Sequence, residues 1–125
     1  MIYGIGTDIT EVPRFEKWVL DENLSKRYFN EKELSATGTI KSRREHLAVR
    51  FAAKEAFSKA LGTGIFGFEL KDLYIQKDKD GKPYFVFENT AKEILEKRVG
   101  KCVVHVSLSH EKEYATAFVI IEKLD

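Results

Sequence analysis

The feature of this sequence that most constrains the fold is a long run of helix-forming residues in the middle of the chain, which ends at a glycine. Ser42 and Glu45 have the spacing of a capping box, in which two side chains satisfy free backbone donors at a helix start, so we expect a helix to begin near Arg43. Apolar residues and alanines then recur at spacings of three and four, and Gly62 is the residue type that commonly ends a helix in a left-handed conformation. The pattern predicts one helix over residues 43–61, of about five turns.

This predicted helix carries charged residues that are suited to chemistry. Glu55 and Lys59 lie four residues apart and therefore share a face. The commoner explanation of such a pair is a surface ion pair, which stabilises a helix by only about 0.2–0.5 kcal/mol. Small alanine neighbours and a Gly-x-Gly exit would nevertheless let a bulky anion approach the backbone closely. The candidate contacts for an anionic cofactor on this stretch are Arg50, Lys54, Lys59 and Gly62.

Length, charge and cysteine content limit the class of protein. The chain has 125 residues, of which 43% are hydrophobic, and this indicates one globular domain over residues 1–125. Lys and Arg (21) nearly balance Asp and Glu (20), so the composition provides no basic field of the kind that attracts nucleic acid. The single Cys102 excludes an internal disulfide framework, and no apolar run has the length of a signal peptide core or a membrane span. We expect a cytoplasmic protein.

The first segment predicts a strand over residues 1–9, followed by a helix that opens at residues 10–13. Gly4 and Gly6 interrupt this strand, and glycine inside a strand often marks a place where another backbone packs closely. Asp8 falls at the junction of the strand with the helix. It could cap the helix or belong to a functional site, and the sequence leaves both alternatives open.

Residues 21–41 predict short helical pieces, one of them capped by Asn30 and Glu33. Arg27 precedes Tyr28 and Phe29, and a basic and aromatic surface of this kind could receive an acidic partner helix. A solvated helix edge over a core is the commoner explanation.

The second half of the chain predicts two antiparallel hairpins. The first joins residues 73–77 to residues 84–87 through an Asp-Lys-Asp-Gly turn, and the second joins residues 102–108 to residues 114–121. Between them, Thr90 and Glu93 have capping-box spacing at the start of a short helix that stops at Gly100. The loop over residues 62–68 lacks the Lys-Ser or Lys-Thr pair of a P-loop.

The strand over residues 102–108 is expected to have one apolar face and one polar face. Alternation places Val106 and Leu108 on one side and His105 and Ser107 on the other. Ser109-His110 follows at the strand end, where a hydroxyl and an imidazole can both donate to phosphate. The Cys and His spacing predicts no zinc site.

Three blocks of sequence together resemble a known family. They are GIGTDITEVPRF at 4–15, RFAAKEAFSKALGTGI at 50–65 and HVSLSHEKEYATAFVII at 105–121. In order and spacing they resemble the holo-(acyl carrier protein) synthases, the small bacterial type of 4′-phosphopantetheinyl transferase, whereas residues 16–45 and 66–100 match mainly in layout. The resemblance implies an α+β fold with a small antiparallel sheet packed on a long central helix.

The resemblance also implies a reaction. Members of that family transfer 4′-phosphopantetheine from coenzyme A to a serine of apo acyl carrier protein for fatty acid biosynthesis, use Mg²⁺ and release adenosine 3′,5′-bisphosphate. By motif match, Asp8 and Glu55 would be the metal carboxylates and Lys59 the cation beside the reacting phosphates, with Ser109 and His110 as contacts of the 3′-phosphate. Members of this size are expected to be homotrimers with active sites in the clefts between subunits.

The residues agree with that chemistry. Mg²⁺ commonly binds through one or two carboxylates, waters and substrate phosphates, and Glu55 could take the serine proton directly or through a water. Arg14 and Arg27 are the better-supported docking residues for the carrier protein, since Asp21 and Glu22 dilute the basic face nearby. The alternative from another class is a non-catalytic nucleotide-binding or carrier-binding module with the same fold.

Overall fold

The computed structural model describes residues 1–35 and 37–125. Its strands are β1 (Ile2–Glu11), β2 (Leu73–Lys77), β3 (Pro83–Phe87), β4 (Cys102–His110) and β5 (Tyr114–Lys123). Its α-helices are α1 (Glu16–Leu20), α2 (Glu22–Ser25), α3 (Glu31–Leu34), α4 (Ile40–Leu61) and α5 (Asn89–Arg98), and short 3-10 turns cover Val12–Phe15 and Leu70–Asp72.

Two antiparallel sheets make up the β structure. One has three strands in the order β1-β5-β4, and the other is the β2-β3 hairpin. Both predicted hairpins are therefore confirmed. In the three-stranded sheet Asp8 and Leu108 lie opposite Ala117 from either side, so β1 and β4 form its two edges.

Helix α4 packs directly on β1 because two glycines leave room for it. A Cβ atom at Gly4 would lie 1.9 Å from the carbonyl oxygen of Ala60, and one at Gly6 would lie 1.8 Å from that of Ala56. These separations are far below van der Waals contact, so any side chain would push the strand off the helix. The predicted close backbone approach at both glycines is confirmed.

The start of α4 differs from the prediction, and its end agrees. Thr39 is the N-cap, and its hydroxyl oxygen accepts a 3.0 Å hydrogen bond from the backbone N–H of Ser42. The predicted start near Arg43 with Ser42 as cap was therefore wrong by one turn. At the other end Gly62 has φ of 87°, the left-handed conformation expected of it.

The two other predicted capping boxes had different outcomes. Asn30 and Glu33 form theirs at the start of α3. Thr90 instead hydrogen-bonds Asp72 at 2.5 Å and accepts from the backbone N–H of Glu69 at 2.8 Å. Thr90 thus ties α5 to the chain before β2, and its prediction as a cap was wrong.

The two faces of the three-stranded sheet differ in what covers them. One face packs on α4 through buried residues such as Val119 and Ile121. The opposite face leaves large apolar side chains in solvent, including Ile5, Ile9 and Phe118, which are 59%, 64% and 49% exposed. Within the described residues, no helix combines the length and the apolar character needed to cross a membrane.

Candidate active site

The contact between β1 and α4 brings three charged side chains together. Alternation along β1 turns Asp8 to the same face as Gly4 and Gly6, which is the face that meets α4. Lys59 Nζ lies 3.2 Å from Asp8 Oδ1 and donates to the carbonyl oxygen of Thr7 at 2.9 Å. The side chain of Asp8 thus faces α4 and does not cap the helical turn that follows β1.

Glu55 lies one turn before Lys59, and its electrostatics link it to Asp8. Burial raises the pKa of Glu55, and the negative charge of Asp8 raises it further, against a lowering effect of Lys59. Burial likewise raises the pKa of Asp8, although Lys59 and Arg14 lower it. Two partly buried carboxylates therefore compete for one nearby ammonium group, and a further positive charge would stabilise both.

These carboxylates fit a magnesium ion. Mg²⁺ is usually held by one or two carboxylates, and its remaining ligands are waters and phosphate oxygens. Among residues 1–35 and 37–125, no group of three or more His, Cys, Asp or Glu side chains forms a complete metal cage. A pair of acids close to an open surface is the donor set expected of a metal that is shared with a phosphate substrate.

A second polar feature lies on another part of α4. It is a groove of about 330 Å³ between α4, the turn of the β2-β3 hairpin and the end of β4. Such a volume lies near the lower end of the range for small-molecule sites, roughly 300–1,000 Å³. The lining residues are Ser42, Glu45, His46, Val49, Arg50, Lys77, Gly81, Pro83, Leu108 and His110. We call this feature the α4–β4 groove.

The side chains of the α4–β4 groove that could donate to an anion come from three elements. Arg50 donates to the carbonyl oxygen of His46 at 3.3 Å, and His110 Nδ1 lies 3.9 Å from a carboxylate oxygen of Glu45. Lys77 reaches the groove from β2. Burial lowers the pKa of His46 to about 4, so this imidazole is neutral near pH 7. Arg50, Lys77 and His110 are thus the groups available to an anion.

The structure separates Ser109 from His110. Strand β4 continues to His110, two residues beyond the predicted end, so consecutive side chains point to opposite faces of the sheet. Leu108 and His110 line the α4–β4 groove, whereas Ser109 belongs to the exposed face. The structure thus turns the two side chains to different faces, and contact of both with the 3′-phosphate stays a prediction.

Lys54 is not a surface residue. Its side chain is buried, and its ammonium group donates to Glu33 Oε1 at 2.7 Å, to the carbonyl of Leu70 at 2.8 Å and to that of Leu73 at 2.6 Å. These three bonds use all three ammonium hydrogens. The prediction of Lys54 as a cofactor contact was therefore wrong, because the fold encloses the side chain.

The remaining predicted residues lie outside both features. Gly62 ends α4 at the opposite end from the α4–β4 groove. Arg14 and Arg27 are exposed, in the 3-10 turn after β1 and in the turn after α2. Sequence reasoning missed Glu45, His46, Lys77 and Pro83 in the groove, although the four-residue spacing of His46 and Arg50 is a signal that they share a helix face.

Within one chain, Lys59 of the acidic cluster and Arg50 of the α4–β4 groove point to opposite faces of α4. Arg50 and Lys59 are nine residues apart in α4, which is about two and a half turns and about 13 Å along the axis. The half turn places them on opposite faces of the helix. Likewise, Asp8 lies on one edge strand of the sheet and His110 on the other.

Comparison with known proteins identifies the family. Residues 4–119 match the family described as the 4′-phosphopantetheinyl transferase superfamily. The Holo-[acyl-carrier-protein] synthase of Treponema denticola is 50% identical, with 98% of this chain and 99% of that protein covered. The crystal structure of holo-[acyl-carrier-protein] synthase from Neisseria meningitidis has a TM-score of 0.87 at 38% identity, covering 98% of this chain and 100% of that one.

A further crystal structure carries a ligand. It is a holo-(acyl-carrier-protein) synthase from Bacillus anthracis in complex with CoA (3′,5′-ADP), and it has a TM-score of 0.79 at 36% identity, covering 99% of each chain. The α+β fold, with its antiparallel sheet and long helix, is thus confirmed. The chain therefore belongs to the 4′-phosphopantetheinyl transferase superfamily and groups with its holo-[acyl-carrier-protein] synthases.

Proposed function

We propose that this protein transfers 4′-phosphopantetheine from coenzyme A to a serine of apo acyl carrier protein, with Mg²⁺, and releases adenosine 3′,5′-bisphosphate. The observation that carries the proposal is the meeting of Asp8, Glu55 and Lys59 where β1 crosses α4. Relatives of the same fold and length carry the name of this enzyme. A single domain over residues 1–125, a cytoplasmic location and a role in fatty acid biosynthesis belong to the same proposal.

Each residue of the cluster has a chemical role in this reaction. Mg²⁺ held by Asp8 and Glu55 would neutralise the diphosphate of coenzyme A and polarise the phosphorus that is attacked. Lys59 would stabilise the negative charge that develops on the leaving phosphate. Glu55 would accept the serine proton, directly or through a water. The serine oxygen bonds to phosphorus while the diphosphate P–O bond breaks, and that electron pair leaves with adenosine 3′,5′-bisphosphate.

The α4–β4 groove suits the nucleotide part of coenzyme A. Arg50 and Lys77 offer positive charge to the 3′-phosphate, and His110 offers a further hydrogen-bond donor. Pro83 and Leu108 add apolar surface against which an adenine ring can pack. We assign nucleotide binding to this groove, with His110 rather than Ser109 as the 3′-phosphate contact from its own chain.

A complete site needs a second copy of the chain. Arg50 and Lys59 lie on opposite faces of α4, and Asp8 and His110 lie on opposite edge strands of the sheet. One coenzyme A molecule would therefore have to pass around the helix to reach both the metal carboxylates and the groove within a chain. Two copies avoid this if one supplies Asp8 and Glu55 and its neighbour supplies the groove. The exposed apolar side chains of Ile5, Ile9 and Phe118 give such copies a surface to bury. We infer a homotrimer with active sites in the clefts between subunits.

Intact-mass measurement tests the proposed function directly. Apo acyl carrier protein is incubated with the enzyme, coenzyme A and Mg²⁺, and its mass is expected to rise by one phosphopantetheinyl group. Omitting Mg²⁺ and adding a chelator should abolish the change. Binding of both substrates with the carrier mass unchanged would contradict transfer and favour a non-catalytic binding module.

A further inference from the structure

The buried ammonium group of Lys54 joins three parts of the chain. Glu33, which receives one of its bonds, belongs to α3, while Leu70 and Leu73 flank the start of β2. The same glutamate accepts from the backbone N–H of Asn30 through Oε1, and His46 contacts its carbonyl oxygen at 2.7 Å. Helix α4 is therefore fixed on this side at a single depth and rotation.

On its other side, α4 is fixed by β1. The backbone of Gly6 packs on the carbonyl of Ala56, and Lys59 bonds to Asp8 and Thr7. Glu55 stands between these two fixed contacts, one residue after Lys54 and one residue before Ala56. Its distance from Asp8 thus depends on how both sides hold the helix.

A shared metal ion requires that the Glu55 carboxylate be positioned accurately. A carboxylate about 6 Å from a helix axis moves about 2 Å when the helix rotates by about 20°. Bond lengths in a metal site are set to within about 0.2 Å. On the side of α4 away from β1, three short bonds from Lys54 oppose such a rotation.

We infer that Lys54 is a positioning residue, which through its bonds to Glu33, Leu70 and Leu73 holds Glu55 at the correct distance from Asp8 for a shared divalent cation. This inference rests on the proposed metal role of Asp8 and Glu55. It assigns to Lys54 an indirect part in the reaction in place of contact with the cofactor.

The ion pair has features of a positioning contact rather than of a mainly stabilising one. Glu33 Oε2 is buried and has no hydrogen-bond partner within the part of the chain that the structure describes. Burying two charges is costly, and apolar or neutral replacements of such pairs are often as stable as the original. The pair can therefore be neutralised without a necessary loss of the fold, which makes the inference testable.

The test uses the double variant Lys54→Met with Glu33→Gln. Methionine keeps the volume of the lysine stem, and glutamine keeps the oxygen that accepts from Asn30. Binding of Mn²⁺ alone is measured by electron paramagnetic resonance, and stability is measured by urea unfolding. We expect a moderate loss of urea stability, because the carbonyl oxygens of Leu70 and Leu73 lose the ammonium donor. We also expect a Mn²⁺ dissociation constant about tenfold higher, as for other residues that orient metal ligands.

Two further variants separate positioning from stability. Leu95→Ala shortens a buried side chain of α5 elsewhere in the core, and it should lower urea stability while keeping the wild-type Mn²⁺ affinity. Glu33→Gln alone keeps the oxygen that accepts from Lys54 and removes only the opposite charge, so it should raise the dissociation constant less than the double variant does. If the double variant does not fold, the Mn²⁺ affinity of Glu33→Gln tests the inference in its place.

Unchanged Mn²⁺ affinity in folded double and single variants would overturn the inference, as would an equal loss of affinity in Leu95→Ala. Wild-type protein that binds no Mn²⁺ would overturn it together with the metal assignment. Failure of the proposed transfer reaction would appear separately, as an unchanged carrier mass in the presence of normal Mn²⁺ binding.

Discussion

Lys59 Nζ lies 3.2 Å from Asp8 Oδ1, and this contact joins the first strand of the chain to the last turn of its longest helix. The ion pair is half open to solvent on the lysine side, so its own contribution to stability is small. Its importance is that it leaves Glu55 without a full counter-charge beside a second carboxylate.

The first prediction concerns metal dependence. Asp8→Asn keeps the shape of the side chain but removes one of the two negative charges that would hold Mg²⁺. Transfer measured by carrier mass should fall by about 10²–10³-fold, the usual effect of losing one electrostatic contact at a reacting centre. Glu96→Gln, an exposed charge change on α5, is the matched control. Activity of Asp8→Asn in chelator at the wild-type rate would refute the metal assignment.

The second prediction concerns stability against pH without metal. The pKa of Glu55 is raised above 4.5 by burial and by Asp8, so the folded protein favours the protonated carboxyl. The stability that this gives is present at low pH and is lost as the pH rises through the folded pKa. Glu55→Gln removes that loss, so at pH 7 the metal-free variant should have a higher Tm than the wild type.

The same pair of proteins provides the control. Below about pH 4 the wild-type carboxyl is protonated, and the difference in Tm should shrink. Adding Mg²⁺ at pH 7 should raise the Tm of the wild type more than that of Glu55→Gln, because a ligand stabilises only the state that binds it. A lower Tm for the metal-free variant at pH 7 would show that Glu55 stabilises the fold instead.

The fold was largely predictable because local patterns and tertiary contacts agree along most of the chain. Glycines inside a strand indicated the close contact with α4, and alternating residues indicated the hairpins. The cap errors at Ser42 and Thr90 have one physical cause: capping-box spacing is local, but Thr39 and Asp72 offer these residues other bonds. Helix propensity and residue spacing do not reveal such competing hydrogen-bond partners.

The site was predictable only in part. Asp8, Glu55 and Lys59 could be found by motif, whereas the burial of Lys54 depends on Glu33, 21 residues away, and on carbonyls that the fold brings to it. For Ser109 and His110 the difference lies in the strand end. The predicted strand ends at Leu108, but β4 continues to His110, and alternation turns the two side chains to opposite faces.

The third prediction concerns recognition of the nucleotide. If His110 contacts the 3′-phosphate in the α4–β4 groove, coenzyme A should bind more tightly than its 3′-dephospho form. A hydrogen bond to a charged group is worth about 1.5–3 kcal/mol, so His110→Ala should reduce that preference by about tenfold or more. Calorimetric titration measures both affinities. The control is Lys92→Ala, which changes an exposed side chain of α5. Equal affinity of the wild type for the two ligands would show that the 3′-phosphate does not bind in this groove.

The fourth prediction concerns docking of the carrier protein. Arg14 and Arg27 are exposed, and carrier proteins of this class are expected to be acidic near the acceptor serine. Exposed charges mainly steer association and are screened over roughly 8 Å at physiological ionic strength. Arg14→Glu and Arg27→Glu should raise the KM for the carrier, weaken its salt dependence and leave coenzyme A affinity unchanged.

The two arginines differ in a useful way. The charge of Arg14 also lowers the pKa of Asp8, so Arg14→Glu can affect the metal site as well as docking. Arg27 has no such link to the carboxylates among the described residues, and it is therefore the cleaner test. Wild-type salt response in both variants would place docking on another surface, with Lys17 and Lys26 as the next candidates.

The last prediction concerns which copy of the chain supplies each half of the site. Asp8→Asn chains lack the metal half and His110→Ala chains weaken the nucleotide half, so each variant alone should transfer slowly. Mixed trimers, formed by co-expression, contain clefts in which one chain supplies an intact Asp8 and its neighbour an intact His110. Random mixing in equal amounts gives about one quarter of such clefts, and activity should recover to about that fraction of the wild type. If one chain supplied both halves, every site would carry a defect and mixing would restore nothing. Light scattering on the same samples gives the mass, and a monomer that retains full activity would contradict the shared site altogether.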